Sequence, residues 1–284
     1  MIGKIDNSRQ SLDSAELAAI KVPFHVRLHG RLRGRRPPLY KNAGIHLKLP
    51  KPYNHVVYVY IRKNGCSAFK RWFLDDMGER RGPEAQISLV AERYAVSMEW
   101  ELAGTKRLLV LRDPVDRTCS LFRNKFIQRK GAEDIQDSFK DVTGTQGGEA
   151  SFKYFVKNYL QPLLRKGSRS GTKIDPHCVS QSSHLYPISY DQVIMLDDLP
   201  KASRHFFSED VASFYFSHRV NSTPSAADST FQSETPASKL IQRYESCEEL
   251  PDNESLVDKE ICEIIQSIYQ DDYDLISQAF KLQK

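Results

Sequence analysis

Three short runs of this chain are apolar at nearly every position, the pattern of strands buried on both faces. HVVYVYI, His55 to Ile61, is rich in β-branched and aromatic residues. KRLLVLRDP supplies a second run at Arg107 to Leu111, and DQVIML a third at Asp191 to Leu196, followed by the acidic pair Asp197 and Asp198. Elsewhere the apolar positions recur at helical spacing. Ile87, Val90, Ala91, Tyr94 and Met98 predict a helix, with Pro83 and Glu84 suited to its first turn. Phe152, Phe155, Val156 and Tyr159 line one side of a helix in FKYFVKNYLQPLL. The Ile and Tyr residues of EICEIIQSIYQDDYDLISQAF predict a closing helix that covers a sheet face. Between these elements, DVTGTQGGEA, Asp141 to Ala150, reads as a loop. STPSAADSTFQSETPAS, Ser222 to Ser238, reads as a mobile excursion within a domain rather than a boundary.

One arrangement occurs twice: a strand, a charged turn, then a helix. The first copy runs from Tyr60 to Phe73 through IRKNGCSAFKRWF, with its helix expected over Ser67 to Leu74. The second runs from Leu109 to Phe126, where Asp113 can cap the helix, Pro114 suits its first turn and Asp116 lies near its positive end. Ligands of open α/β sheets bind beyond the carboxyl ends of the strands, so two such turns can face one ligand.

Charge sharpens that picture. The net charge of +5 conceals an asymmetry, because Leu17 to Leu74 holds thirteen Lys or Arg residues and no Asp or Glu. From Tyr244 to Lys284 the balance reverses, with eleven acidic residues against three basic ones. The basic quarter points to an anionic ligand or to a solvated basic face, and HGRLRGRRPP within it reads as an irregular arm. With 284 residues, of which 40% are hydrophobic, the chain is long enough for a full enzyme core. No apolar stretch approaches a membrane span and MIGKIDNSRQ lacks the core of a signal peptide, so a cytoplasmic protein is expected if the chain is complete, with a chain trimmed of a membrane anchor as the alternative. Cys66, Cys119, Cys178, Cys247 and Cys262 lack metal-ligand spacing and are expected to be reduced thiols.

The first turn presents backbone N–H groups around Asn64 to Ser67 at a helix start, where a phosphate can accept them beside the Lys63 charge and the Ser67 hydroxyl. It is not a Walker loop: Lys63 precedes the lone Gly65, and Tyr60 stands where the first glycine of that loop belongs. In the second turn Arg112, Arg117 and Ser120 can bind another phosphate without a metal, and Arg123 follows one turn later. Either turn alone is equally a solvated strand exit or a capped helix start. Together they describe a site for two phosphates. The readings left beside this one are an NTP phosphotransferase that uses Mg²⁺ and a nucleic-acid-binding module built on the basic region.

These motifs resemble the PAPS-dependent sulfotransferases, particularly the HNK-1-related carbohydrate sulfotransferases. Lys63, Asn64, Gly65, Cys66 and Ser67 match the family's 5′-phosphosulfate loop in order. Arg112, Asp113, Pro114, Arg117, Ser120, Phe122 and Phe126 fit its 3′-phosphate motif. DPHCVSQ, SYDQVIMLDDL, HRVNST and IYQDDYDLI resemble further segments, with Cys178 and Ser180 in place of a usual Trp and Pro, and Asp197 with Asp198 near a usual Glu.

The resemblance implies a three-layer α/β/α sandwich with a central parallel sheet, a P-loop NTPase-like sulfotransferase fold. A basic arm at 1–50 would precede a single domain at 51–284. It also implies PAPS as donor, PAP as product, no metal and no nucleic acid, with a carbohydrate or glycoconjugate hydroxyl as acceptor and a homo-oligomer as one assembly. Lys63 would touch the transferring sulfonate, the Gly65 to Ser67 amides the 5′-phosphate, and Arg112 and Ser120 the 3′-phosphate. His177 would be the base, with His184 its nearest rival, or else would orient its loop alongside Asp175. Apart from the resemblance, Glu99 is another candidate base, although its amphipathic context favours a surface salt bridge.

Overall fold

The apolar runs form the strands of a four-stranded sheet, ordered β1-β2-β3-β4, in a computed structural model. It describes residues 44–79, 87–96, 102, 104–165, 174–186, 188–217 and 232–281. Strands β2 (Val56–Val59), β3 (Lys106–Leu111) and β4 (Gln192–Met195) are parallel, with Val56 opposite Lys106 and Leu109 opposite Val193. β1 (His46–Lys48) pairs antiparallel with β2, placing His46 opposite Val59. The sheet is therefore mixed, where a parallel one was expected. The reason is the short connection from β1 to β2, since antiparallel neighbours tolerate a tight link and parallel neighbours need a crossover. β1 falls in the segment assigned to the basic arm. HGRLRGRRPP, Pro83 with Glu84, Met98, Glu99, HRVNST and residues 222–231 lie outside the described residues.

Crossovers from β2 to β3 to β4 supply the flanking helices. α1 (Cys66–Asp76) and α2 (Ile87–Tyr94) follow β2. After β3 come α3 (Pro114–Phe122), a π-helical turn at Arg123–Ile127 and α4 (Glu133–Thr143). α5 then runs without interruption through Phe152–Tyr154, a π-helical Phe155–Leu160 and Gln161–Arg165. α6 (Leu199–Phe206) follows β4. α7 (Ala237–Cys247), α8 (Asn253–Leu256), α9 (Lys259–Ile268) and α10 (Gln270–Lys281) end the described chain. α4 takes Asp141 to Thr143 from the expected loop, because Ile135, Ser138 and Phe139 bury one face at helical spacing. The closing helix is broken at Tyr269, whose φ of −115° and ψ of 28° are not helical. Ala237 and Ser238, expected in a mobile excursion, open α7.

Alternate residues of each strand point to opposite faces, and that alternation builds the three layers. Tyr58, Leu108, Val110 and Ile194 pack with Phe69, Trp72 and Phe73 of α1. Val59, Leu109 and Leu111 pack on the other face with Leu275 and Ala279 of α10. A further core forms among the helices beside the sheet, where Phe122, Phe126, Phe139, Phe152, Phe155 and Tyr159 are buried together with Ile261 and Ile265 of α9. Each fully buried aromatic side chain removes enough apolar surface to contribute about 2–3 kcal/mol. Phe155 sits centrally in this cluster, with ring centroids 4.8 Å from Phe126, 5.6 Å from Tyr159 and 5.7 Å from Phe122. Among the described residues no helix is long and apolar enough to cross a membrane. The five cysteines are free thiols. Replacing Phe155 with Ala leaves a cavity between rigid rings, and chemical denaturation should register a loss of about 3–5 kcal/mol.

Candidate active site

The first charged turn leaves β2 and enters α1 at the carboxyl end of the sheet. Its backbone is tight: Lys63 has φ +70° and Gly65 φ +74°, and the Asn64 N–H donates to Ile61 O at 3.3 Å. Asn64 therefore spends its amide on the turn and is not an open anion donor, as had been expected. The first helical bond runs from the Ala68 N–H to Gly65 O, so the amides of Gly65, Cys66 and Ser67 precede the helix's own hydrogen bonding. No side chain caps this end. Gly65 is required twice over. A Cβ there would lie 2.8 Å from Leu196 Cδ1 and would add the left-handed backbone strain of an L residue.

The second turn holds the first in place. Arg112 Nη1 donates to Lys63 O at 3.2 Å, and Arg117 Nε donates to Arg62 O at 3.2 Å. Arg117 also donates from Nη1 to Val179 O at 2.9 Å and is 2% exposed. It braces the turn from beneath rather than sharing an open face with Ser120. Its Nη2 has no hydrogen-bond partner among the described residues. Asp113 caps α3 by accepting the N–H groups of Val115 and Asp116, as its position suggested. Arg123 turns away to Pro251 O and Asn253 Oδ1, while Asn253 donates on to Asp116. Ser120 remains half-buried on the adjoining helix face.

Lys63 is where the turns meet. Its Nζ donates to Asn124 Oδ1 at 2.6 Å, an acceptor on the π-helical turn after α3. Burial, then the charges of Lys125, Arg112 and Arg117, push the amine from its ordinary 10.5 down to about 7. Burial also lowers Arg112, partly offset by Asp116. Several cations in one half-buried place disfavour one another, and a bound anion relieves all of them together.

His177 belongs to the same field, since burial and the charges of Arg62 and Lys125 hold it down at about 3. Its Nδ1 lies 2.6 Å from Asp175 Oδ1, which also accepts the His177 N–H at 2.7 Å. Burial alone would raise Asp175, but the His177 hydrogen bonds outweigh it and the carboxyl falls to about 2. An ionised carboxylate only accepts, so Nδ1 carries the proton and Nε2 carries the lone pair. His184 is 1% exposed, points Nδ1 at Ser180 O and is also pushed by burial to about 3. It lies in the short 3₁₀ turn Ser182–His184 that follows the His177 segment.

Three contributors were not singled out from the sequence. Gln181 joins the two turns, and Asp272 of α10 holds Gln181. Each lay inside a segment already noted, DPHCVSQ and IYQDDYDLI, but nothing in the residue order assigned it a contact. Asn124 carried no signal, since its reach to Lys63 depends on the π-helical register. Among the described residues no group of His, Cys, Asp and Glu could hold a metal ion.

A family model described as "Sulfotransferase family" matches residues 49–276, most of the chain. No curated protein and no solved structure matches. The low amine pKa is directly measurable: ¹³Cε-lysine NMR should give Lys63 a midpoint of about 7 in the free protein, and a midpoint near 10 would refute both the burial of the amine and its crowding by other cations. Between those values the unfolded chain holds the proton that the folded chain has released. Lys63 therefore contributes a rise of stability with pH across that window, and Lys63→Met should remove that contribution.

Proposed function

We propose that this chain, which belongs to the sulfotransferase family, moves the sulfonate of PAPS to a carbohydrate hydroxyl and releases PAP. The observation that carries the reading is the meeting of Lys63, Arg112 and the open amides of α1 beyond the ends of parallel strands β2 and β3. Cations held by neutral oxygens next to free amides suit a ligand with several anionic groups. The carbohydrate acceptor rests on the sequence resemblance in DPHCVSQ and IYQDDYDLI.

When bound, the donor supplies a sulfonate attached to a phosphate leaving group. The Gly65, Cys66 and Ser67 amides hold the 5′-phosphate, and the Arg112 guanidinium and Ser120 hydroxyl hold the 3′-phosphate. The Lys63 amine, shared with Asn124 in the free protein, turns to the bridging oxygen and offsets the charge that develops there. Bound anions raise Lys63 from about 7, so it carries its proton when it is needed. His177 accepts the proton of the acceptor hydroxyl at Nε2. Asp175 keeps the imidazole in the required tautomer and stabilises the imidazolium that forms. The same bound anions offset Arg62 and Lys125, which in the free protein help to hold His177 low.

Calorimetry of PAP beside ATP and AMP, with and without EDTA, tests the donor. PAP should bind most tightly in either condition, and Arg112→Ala should lower its affinity about 10- to 100-fold, as loss of a paired Arg–phosphate contact implies. Tighter ATP binding that EDTA abolishes would replace this reading with phosphoryl transfer. For the base, His177→Gln should keep PAP affinity and slow sulfonate transfer about 10²- to 10⁴-fold. Unimpaired transfer in that variant, or loss of transfer in His184→Gln alone, would move the role elsewhere.

A further inference from the structure

The side chain of Gln181 is fully buried between the two anion-binding turns. Its Oε1 accepts from Asn64 Nδ2 at 2.5 Å and from the Arg112 N–H at 3.0 Å. Its Nε2 donates to Arg112 O at 2.8 Å and to Asp272 Oδ2 at 3.4 Å. A glutamine amide offers two lone pairs and two N–H groups, and here each is used. Arg112 thus meets a side-chain amide on its N–H and C=O, as it would meet the peptide of a neighbouring strand, although β3 has already ended at Leu111.

Asn64 is equally buried and also donates to Val110 O at 2.8 Å, so the first turn is tied to the strand that carries the second. Gln181 is in turn fixed from the far layer. Asp272, fully buried in the first turn of α10, accepts the Gln181 N–H with Oδ2 at 2.9 Å and the Ser182 N–H with Oδ1 at 2.9 Å. Tyr269 adds a bond from its hydroxyl to Cys178 O at 2.7 Å. Arg117, the brace of the first turn, is the cation whose charge reaches Asp272.

We propose that Gln181 is a positioning residue that sets the separation of the two anion-binding turns, and that Asp272 locks it at that length. The pair thereby determines selectivity for a nucleotide carrying phosphates at both ends of its ribose over one carrying a single phosphate. The inference rests on the donor reading above and assigns its 3′-phosphate selectivity to residues that do not touch the donor. The chemistry of the fork explains the residue type. Glutamate at 181 keeps the shape but cannot donate to Arg112 O, and asparagine is one methylene too short to reach both turns.

The test is the ratio of PAP to AMP affinity, measured by calorimetry on the full chain with Gln181→Glu and Asp272→Asn. Gln181→Glu should lower PAP affinity about 10-fold or more while AMP, held by one turn, changes less than about 3-fold. Asp272→Asn should shift the ratio the same way by a smaller factor. Thermal melts identify a variant that has lost its fold, in which case the other decides. A general loss of stability weakens the two ligands alike, so an unchanged PAP to AMP ratio in a folded variant overturns the assignment. If the wild-type protein does not prefer PAP, the donor reading fails and this inference falls with it; if it does and the variants keep that preference, only this inference falls.

Discussion

The arrangement depends on holding several cations close together in a half-buried place without placing an acid on each. The hydrogen bonds that position three of them go to neutral oxygens: Lys63 to Asn124, Arg112 to the Lys63 carbonyl, and Arg117 to the carbonyls of Arg62 and Val179. A carbonyl orients a guanidinium without cancelling its charge. The cost is chiefly lost solvation, with mutual repulsion added, expressed as the lowered pKa of Lys63 and Arg112. An anion bound among them would offset that cost.

Such a cluster stays in place only if the scaffold is stiff. The parallel strands are covered on one face by α1 and on the other by α10, so their carboxyl ends cannot shift independently. The aromatic core of α3, α4 and α5 anchors the helix that carries the second turn. The π-helical turn at Arg123–Ile127 carries Asn124 and Lys125 at the edge of the site. Two layers that are distant in sequence thus converge on one short stretch of backbone, the turn after β2.

Much of the fold was legible because burial on both faces gives β2 and β3 an apolar run, and edge strand β4, buried only at Ile194, keeps a similar one. The runs around Val56–Val59, Lys106–Leu111 and Gln192–Met195 are the parallel strands, and Asp113 caps the helix that its position suggested. β1 escaped notice because three residues at a sheet edge carry no periodicity, and it is this strand that makes the sheet mixed. α4 was partly read as a loop since its C-terminal residues are polar and its buried face is narrow. Arg117 read as an open phosphate ligand, yet tertiary packing drew it beneath the turn.

The sequence by itself determined which chemistry is present: a basic turn with a lone glycine, a second turn opening on Arg-Asp-Pro, and an Asp-Pro-His segment. Each is local, because strand exits, helix starts and the Asp175 bond to His177 involve residues only a few positions apart. Only the tertiary structure decided how these pieces are spaced. That spacing runs through Gln181 and Asp272, which lie far along the chain from Asn64 and Arg112 and meet them through buried hydrogen bonds. A buried polar group must find its partner wherever the packed layers place one, and that address is not written in neighbouring residues.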